Sequence, residues 1–417
     1  MTAPATAPSP SVPTDERVWR TAGGPLLPPT GNGPLRGLSV AVKDLFAVEG
    51  FAVGAGNPEW LAAASPETTT APAVAALLAA GASVAGIART DEFAYSLAGT
   101  NAHYGAPPNP AAPGRISGGS SSGSASAVSL GQASIGLGTD TGGSIRVPSA
   151  YQGLYGIRTT HGAVSTEGLL PLAPSFDTVG WMARDAATLA AVGHVLVPPA
   201  APDWPLDAAV VSPGLIALAE PDVGHAIEQF LADWAGSPEL PALGPAGLRT
   251  AELPAWLAAF QTVQGYEAWQ QHGGWISRHW ESLGADVAAR FRAASTIEPG
   301  QAEGARDVLR AARQHIRSAV GGGMLVLPSA SSVAPLLRDA ALGGDAIERV
   351  RRATMQLTCV AGIAGLPAVN LPLSTADGLP CGISVIGPAH RDADLLAFAV
   401  RLETALLHRK NTPCPAA

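Results

Sequence analysis

Two short apolar runs separated by one helix-length segment constrain the fold of this chain most. Leu38-Ser39-Val40-Ala41-Val42 alternates and is β-branched, like a strand, and Ser83-Val84-Ala85-Gly86-Ile87-Ala88 reads as a second, buried strand. Between them, residues 71–81 (APAVAALLAAG) carry a helix pattern, with Thr70 as candidate N-cap and Gly81 at the end. Such a strand–loop–helix–strand rhythm is that of α/β architecture. The sequence therefore predicts an α/β sheet with helices on its faces. The rhythm returns with a helix after Gly123, a strand at Ser134–Gly138, and strands at 324–327, 368–371 and 383–386. A last helix covers roughly 391–408.

Residues 1–34, rich in Pro, Ala and Thr, read as a loose arm, and 35–410 as one domain with order beginning near Gly37. Residues 185–315 look helical but irregular, with Trp256, Trp269, Trp275 and Trp280 crowded together. Tryptophans at helical spacing most often pack a core, and the alternative is an apolar pocket lining. No fixed-period repeat is visible, which disfavours solenoids and propellers.

The chain of 417 residues is 47% hydrophobic and only 14% charged, so it buries a large core and is not of the disordered class. Twenty-five basic residues stand against 33 acidic ones, for a net charge of −8 with no basic cluster, and nucleic acid is an unfavourable partner. The three cysteines form no CxxC pair, which points away from a disulfide framework or zinc site and towards a reducing compartment. The N-terminus has neither a basic n-region nor an apolar h-region, and no membrane-spanning run follows. The expectation is a cytoplasmic protein without membrane association.

Chemistry concentrates between Gly118 and Ser149, GGSSSGSASAVSLGQASIGLGTDTGGSIRVPS, which sets two Gly-flanked serines, Ser120 and Ser144, around an apolar segment. Three readings compete. Gly119-Ser120-Ser121-Ser122-Gly123 formally fits the hydrolase elbow, but AAPGRIS before it makes a poor strand and no histidine motif follows. Asp140-Thr141-Gly142 matches an aspartic-protease triplet but has no second copy to share a proton with. The third joins Ser144 and Ser120 to a lysine base. A serine hydroxyl needs an adjacent base, and lysine serves if burial lowers its pKa. Lys43 ends the strand Leu38–Val42 in a lysine-poor chain, against the plainer reading of a strand-end lysine reaching solvent. In Thr141-Gly142-Gly143-Ser144, backbone N–H groups can converge as an oxyanion hole, with Asp140 and Arg146 pinning the turn and Pro148 fixing the exit. His103 and His161 lack spaced partners and read as structural or pocket-lining groups, with no metal site expected.

Residues 118–149 resemble the defining pattern of the amidase signature family, supported by Val40-Ala41-Val42-Lys43-Asp44, Arg89–Ala94 and Phe176–Gly180. The likeness spans roughly 35–408. Asn101–Gly105, His161–Ser165 and Phe176–Trp181 are most similar to plant-type indole-acetamide hydrolases and to the amidase-like domain of a chloroplast import receptor. The resemblance implies a single-domain α/β/α sandwich whose large mixed sheet is covered by helices on both faces. It implies a Ser–cisSer–Lys triad: Ser144 as acyl nucleophile, Ser120 as bridging serine after a cis peptide at Gly119, and Lys43 as general base. The N–H groups of Thr141, Gly142, Gly143 and Ser144 would form the oxyanion hole, with Asp140 and Arg146 in support. It implies no cofactor, a small-molecule aryl- or alkyl-acyl amide as substrate, and a homodimer. Three alternatives stay open: a glutamine-dependent amidotransferase subunit, a carbamate or ester hydrolase, and a non-catalytic binding scaffold.

Overall fold

The computed structural model describes residues 15–198, 206–340 and 345–407. Eleven strands form one mixed sheet: β1 (Trp19–Leu27), β2 (Ser39–Lys43), β3 (Ser83–Ala88), β4 (Ile135–Thr139), β5 (Tyr155–Arg158), β6 (Val179–Ala183), β7 (Ala208–Val211), β8 (Ala242–Pro245), β9 (Met324–Pro328), β10 (Ala368–Ser374) and β11 (Pro380–Ile386). Their order is β1-β3-β2-β4-β6-β5-β10-β11-β9-β7-β8. The predicted unit is present: β2 and β3 run parallel, Lys43 opposite Ala88, joined through the helix Pro72–Ala79. β2 also pairs in parallel with β4, and β7 with β8 and β9, while the other neighbours are antiparallel.

Helices cover both faces, as the α/β/α expectation requires. On one face Val40, Val42, Ile135, Leu137, Ile157 and Trp181 join a core closed by the helices Pro72–Ala79, Ala186–Leu196, Pro221–Ala235 and Asp392–Leu402. On the other, Leu325, Leu327 and Ile386 meet Phe260, Phe291 and Ile316 from the helices Leu253–Ile276, Ala285–Ser295 and Pro299–Val320. No described helix is long and apolar enough to cross a membrane.

The structure departs from the sequence reading in four places. Residues 19–27, assigned to a loose arm, form β1 against β3, with Trp19 packed on Ala41, Ala88 and Ala127. Residues 1–14 and 408 lie outside the described residues. Thr70 does not cap the first helix: that position is Ala71, Pro72 follows it, and Thr70 Oγ1 accepts from Glu49 N. Two strands, β7 and β8, lie inside the supposedly helical 185–315. β5 and β6 also escaped the sequence reading. They are four and five residues long, and Arg158 breaks the apolar signal of β5.

β4 positions the two serine loops. Ile135 and Leu137 point into the first core, and Gly136 and Gly138 face the helix Ser122–Ser129. A Cβ at Gly136 would lie 2.7 Å from Ser124 O, and one at Gly138 2.5 Å from Ser121 Oγ. The alternating glycines let that helix lie directly on the strand. Ser120 and Ser121 are thereby held over the carboxyl end of β4, beside the end of β2.

Candidate active site

The carboxyl ends of adjacent parallel strands are where open α/β sheets place their ligands, and here they present Lys43 and Thr139. Lys43 is completely buried. Its Nζ donates to Ser120 Oγ at 2.9 Å and to Thr139 Oγ1 at 2.7 Å. Loss of hydration pushes its pKa from 10.5 down to about 7, against the pull of the Asp91, Asp177 and Asp140 carboxylates. The alternative of a strand-end lysine reaching solvent is therefore not what the structure shows.

Ser120 is fixed from both sides. The Gly119–Ser120 peptide is cis, and the Ser120 carbonyl accepts from Thr90 Oγ1 at 2.9 Å and from Asp91 N at 3.2 Å. Gly119 leaves room for Asp91, whose Oδ2 would lie 2.3 Å from a Cβ there. Asp91 accepts from Gly99 N and Ser122 Oγ, and burial pushes its pKa up to about 6.

Ser144 sits in the turn that follows β4. The Ser121 N–H donates to the Ser144 carbonyl at 3.4 Å, which ties the two serine loops together. Asp140 shapes this turn. Its Oδ1 accepts from Gly143 N at 3.0 Å, its Oδ2 from Ile145 N at 3.2 Å, and Arg146 grips both oxygens. Arg158, at the end of β5, pairs with Asp140 at 3.2 Å and also donates to the Asp140 carbonyl. Despite total burial, these guanidiniums hold the Asp140 carboxyl well below the usual range. A carboxylate so committed cannot share a proton, which removes the aspartic-protease reading.

The turn presents fewer free donors than its sequence indicates. Gly143 N–H is engaged by Asp140, which leaves the N–H groups of Thr141, Gly142 and Ser144 without a protein acceptor among the described residues. Gly143 adopts φ +124°, and a Cβ there would lie 2.9 Å from Thr358 Cγ2, so only glycine fits. Thr358 Oγ1 donates to the Gly142 carbonyl at 2.6 Å and Asp177 accepts from Thr141 Oγ1 at 2.6 Å, fixing one further peptide and the Thr141 side chain.

A cavity opens over Ser144 and the Thr141–Gly142 turn, walled by Tyr95, Leu172, Gln264, Arg351 and Met355. Sequence reading missed all five and missed Arg158. Gln264 lies inside the Trp-rich run, where composition drew attention to the wrong side chains. Trp256 is buried, Trp269 stacks on Trp280 at 5.9 Å, and Trp275 meets Trp60 and Phe93. None of the four walls this cavity. His103 Nε2 lies 3.0 Å from Glu92 and His161 Nε2 2.8 Å from the Pro174 carbonyl, so both brace loops. Among the described residues no group of three or more His, Cys, Asp or Glu is placed to hold a metal ion.

A family model described as Amidase matches residues 29–220. Amidase 1 of Arabidopsis thaliana is 38% identical over 393 residues, covering 87% of this chain and 92% of the relative. The Translocon at the outer membrane of chloroplasts 64 of Pisum sativum is 31% identical, covering 93% of this chain and 69% of that protein. A solved structure titled as that of an amidase superposes with a TM-score of 0.78 at 30% identity, covering 90% of this chain and 86% of its own. With its sheet order, its buried lysine and its serine turns alongside these matches, the chain belongs to the amidase signature family.

Proposed function

We propose that the protein hydrolyses linear carboxylic amides through an acyl-enzyme on Ser144. The observation that carries this reading is a fully buried Lys43 whose Nζ lies 2.9 Å from Ser120 Oγ. Holding a lysine at a pKa of about 7 instead of 10.5 means that its ammonium form is penalised by about 5 kcal/mol on burial. Nothing in the packing requires that penalty, and a general base does.

In the neutral state the Lys43 lone pair accepts the Ser120 proton while an N–H still donates to Thr139. Ser120 in turn takes the proton of Ser144 as Ser144 Oγ attacks the carbonyl carbon. In the free enzyme Ser144 Oγ makes no hydrogen bond to Ser120. That link closes with substrate present, as catalytic contacts commonly tighten in the Michaelis complex. The oxyanion is received by the free N–H groups of Thr141, Gly142 and Ser144, which stand ready without reorganisation. Ser120 then returns a proton to the leaving nitrogen, the C–N bond breaks, and water repeats the relay to release the acid.

Lys43, Ser120 and Ser144 are all present, with free N–H groups beside Ser144, which argues against the non-catalytic scaffold alternative. The test is hydrolysis of simple aryl and alkyl amides by the purified chain, with Ser144→Ala as blank. Turnover lost in the variant supports the reading. Activity that appears only with a second protein favours an amidotransferase subunit, and equal turnover by Ser144→Ala refutes the nucleophile.

A further inference from the structure

A cation stands beside the reacting serine with little to neutralise it. Arg351, on the helix Asp345–Ala364, walls the same cavity as Ser144. Its Nη1 meets Glu348 at 3.5 Å, one turn earlier, with both side chains partly exposed at 29% and 40%. An i,i+3 pair of that length and exposure holds a guanidinium weakly. Arg351 Nε is buried and donates to no acceptor, and Nη2 donates to none of the described residues. Nε–H and Nη2–H form the side-on edge of the guanidinium, whose parallel donors match the two oxygens of a carboxylate.

The surroundings add a second positive charge. Arg351 also walls an adjoining cavity, together with Arg290, Ile116, Val147 and Tyr151. Arg290 is already engaged, donating to the Tyr95 carbonyl at 2.6 Å and to Asp286 at 3.1 Å. It therefore adds a repulsion at Arg351 that Asp286 offsets only in part, and its own buried Nε also donates to no acceptor. Burial first and the Arg290 charge second lower the Arg351 pKa, with Glu348, Tyr95 and Asp286 opposing. A partly buried cation next to another, with Nε lacking an acceptor and the attacking hydroxyl in the same cavity, is complementary to an anion that arrives with the substrate.

Resting on the amidase reading above, we infer that the preferred substrates are amides carrying a carboxylate on the acyl portion, received by the Nε–Nη2 edge of Arg351. A primary amide has no arm on its nitrogen, so the acyl chain alone can span from Ser144 to Arg351. Half-amides of short dicarboxylic acids are the simplest members of this class. Arg351 is then a specificity-determining residue.

The experiment compares kcat/KM for glutaramic, adipamic and suberamic acids with neutral alkanamides of equal chain length. The acids are preferred by at least about tenfold, the weight of one charge-assisted pair. That preference collapses in Arg351→Met, returns in part in Arg351→Lys, and increases in Glu348→Gln, which removes the competing carboxylate. Loss of folded enzyme divides out of each ratio. A wild-type preference for the neutral amides, or a ratio untouched by Arg351→Met, overturns the inference. Calorimetric titration of adipamic acid into Ser144→Ala separates the two proposals. Binding that needs Arg351, with no amide turned over by the wild type, sinks the amidase reading alone. Neutral amides turned over, with no binding of the acid, sink the carboxylate inference alone.

Discussion

The acid limb of the pH–rate profile reports directly on the buried lysine. Burial places the Lys43 pKa at about 7 instead of 10.5. At pH 7.5 a lysine with the ordinary value is neutral in about one molecule in 1,000, whereas with a value of about 7 roughly three-quarters are neutral. The fold thus raises the active fraction by nearly 10³. With neutral Lys43 as the proposed base, kcat/KM on a neutral amide rises about tenfold per pH unit below 7 and flattens above it. Asp91 is the largest of the three carboxylate influences that hold the Lys43 pKa up. Asp91→Asn therefore moves the limb to lower pH, the sign expected when a neighbouring negative charge is removed from a cationic acid. Lys43→Met, which keeps an unbranched stem and loses the base, lowers kcat/KM by 10² to 10⁴, roughly the span of general-base catalysis. The assay is ammonia release from a neutral aryl or alkyl amide between pH 5.5 and 9.5. A flat profile, a limb near 10, or a limb displaced upward by Asp91→Asn refutes the reasoning.

Three further outcomes follow from the packing. Asp140→Asn leaves the Arg146 and Arg158 guanidiniums buried without their anion, and thermal melting should show a loss of about 3–5 kcal/mol. Because the native-state pKa of Asp140 is depressed, its stabilisation is present above the unfolded carboxylate range and fades as acid protonates it, so the gap between wild type and variant narrows at low pH. Gly143→Ala, forced at φ +124° against Thr358, lowers kcat by about 10² through a displaced oxyanion turn, read by steady-state kinetics at saturating amide. Trp280→Ala removes the stack on Trp269 and lowers the melting temperature, while the ratio of aryl to alkyl amide turnover stays at the wild-type value; a changed ratio would put that cluster in the substrate site after all.

What was legible in the sequence were features whose partners lie nearby or whose side chains allow no second explanation. The strands at 39–43 and 83–88 show because both are short apolar runs flanked by turn residues, and the 118–149 pattern shows because its glycines and serines have no linker-like spacing. β1 did not show. Gly23, Gly24 and Pro25 mimic a loose arm, and its pairing with β3 is decided by Trp19 packing across the edge. Arg158 was invisible because an isolated arginine in a four-residue strand carries no local sign that it will meet Asp140 across the sheet. The cavity walls come from segments as far apart as Tyr95, Leu172, Gln264 and Met355, joined only by the fold. The turn at 141–144 was legible as a nest but not in its detail, since glycine spacing does not tell which N–H the neighbouring carboxylate will claim.

The most direct measurement is where an acylating probe lands. Phenylmethanesulfonyl fluoride followed by peptide mass mapping should place one adduct on Ser144 in the wild-type protein, with labelling abolished in Ser144→Ala and strongly slowed in Lys43→Met. An adduct on Ser120 or on any other residue, or labelling that proceeds unchanged without the Lys43 amine, would contradict a relay running from that buried nitrogen through Ser120 to the attacking hydroxyl.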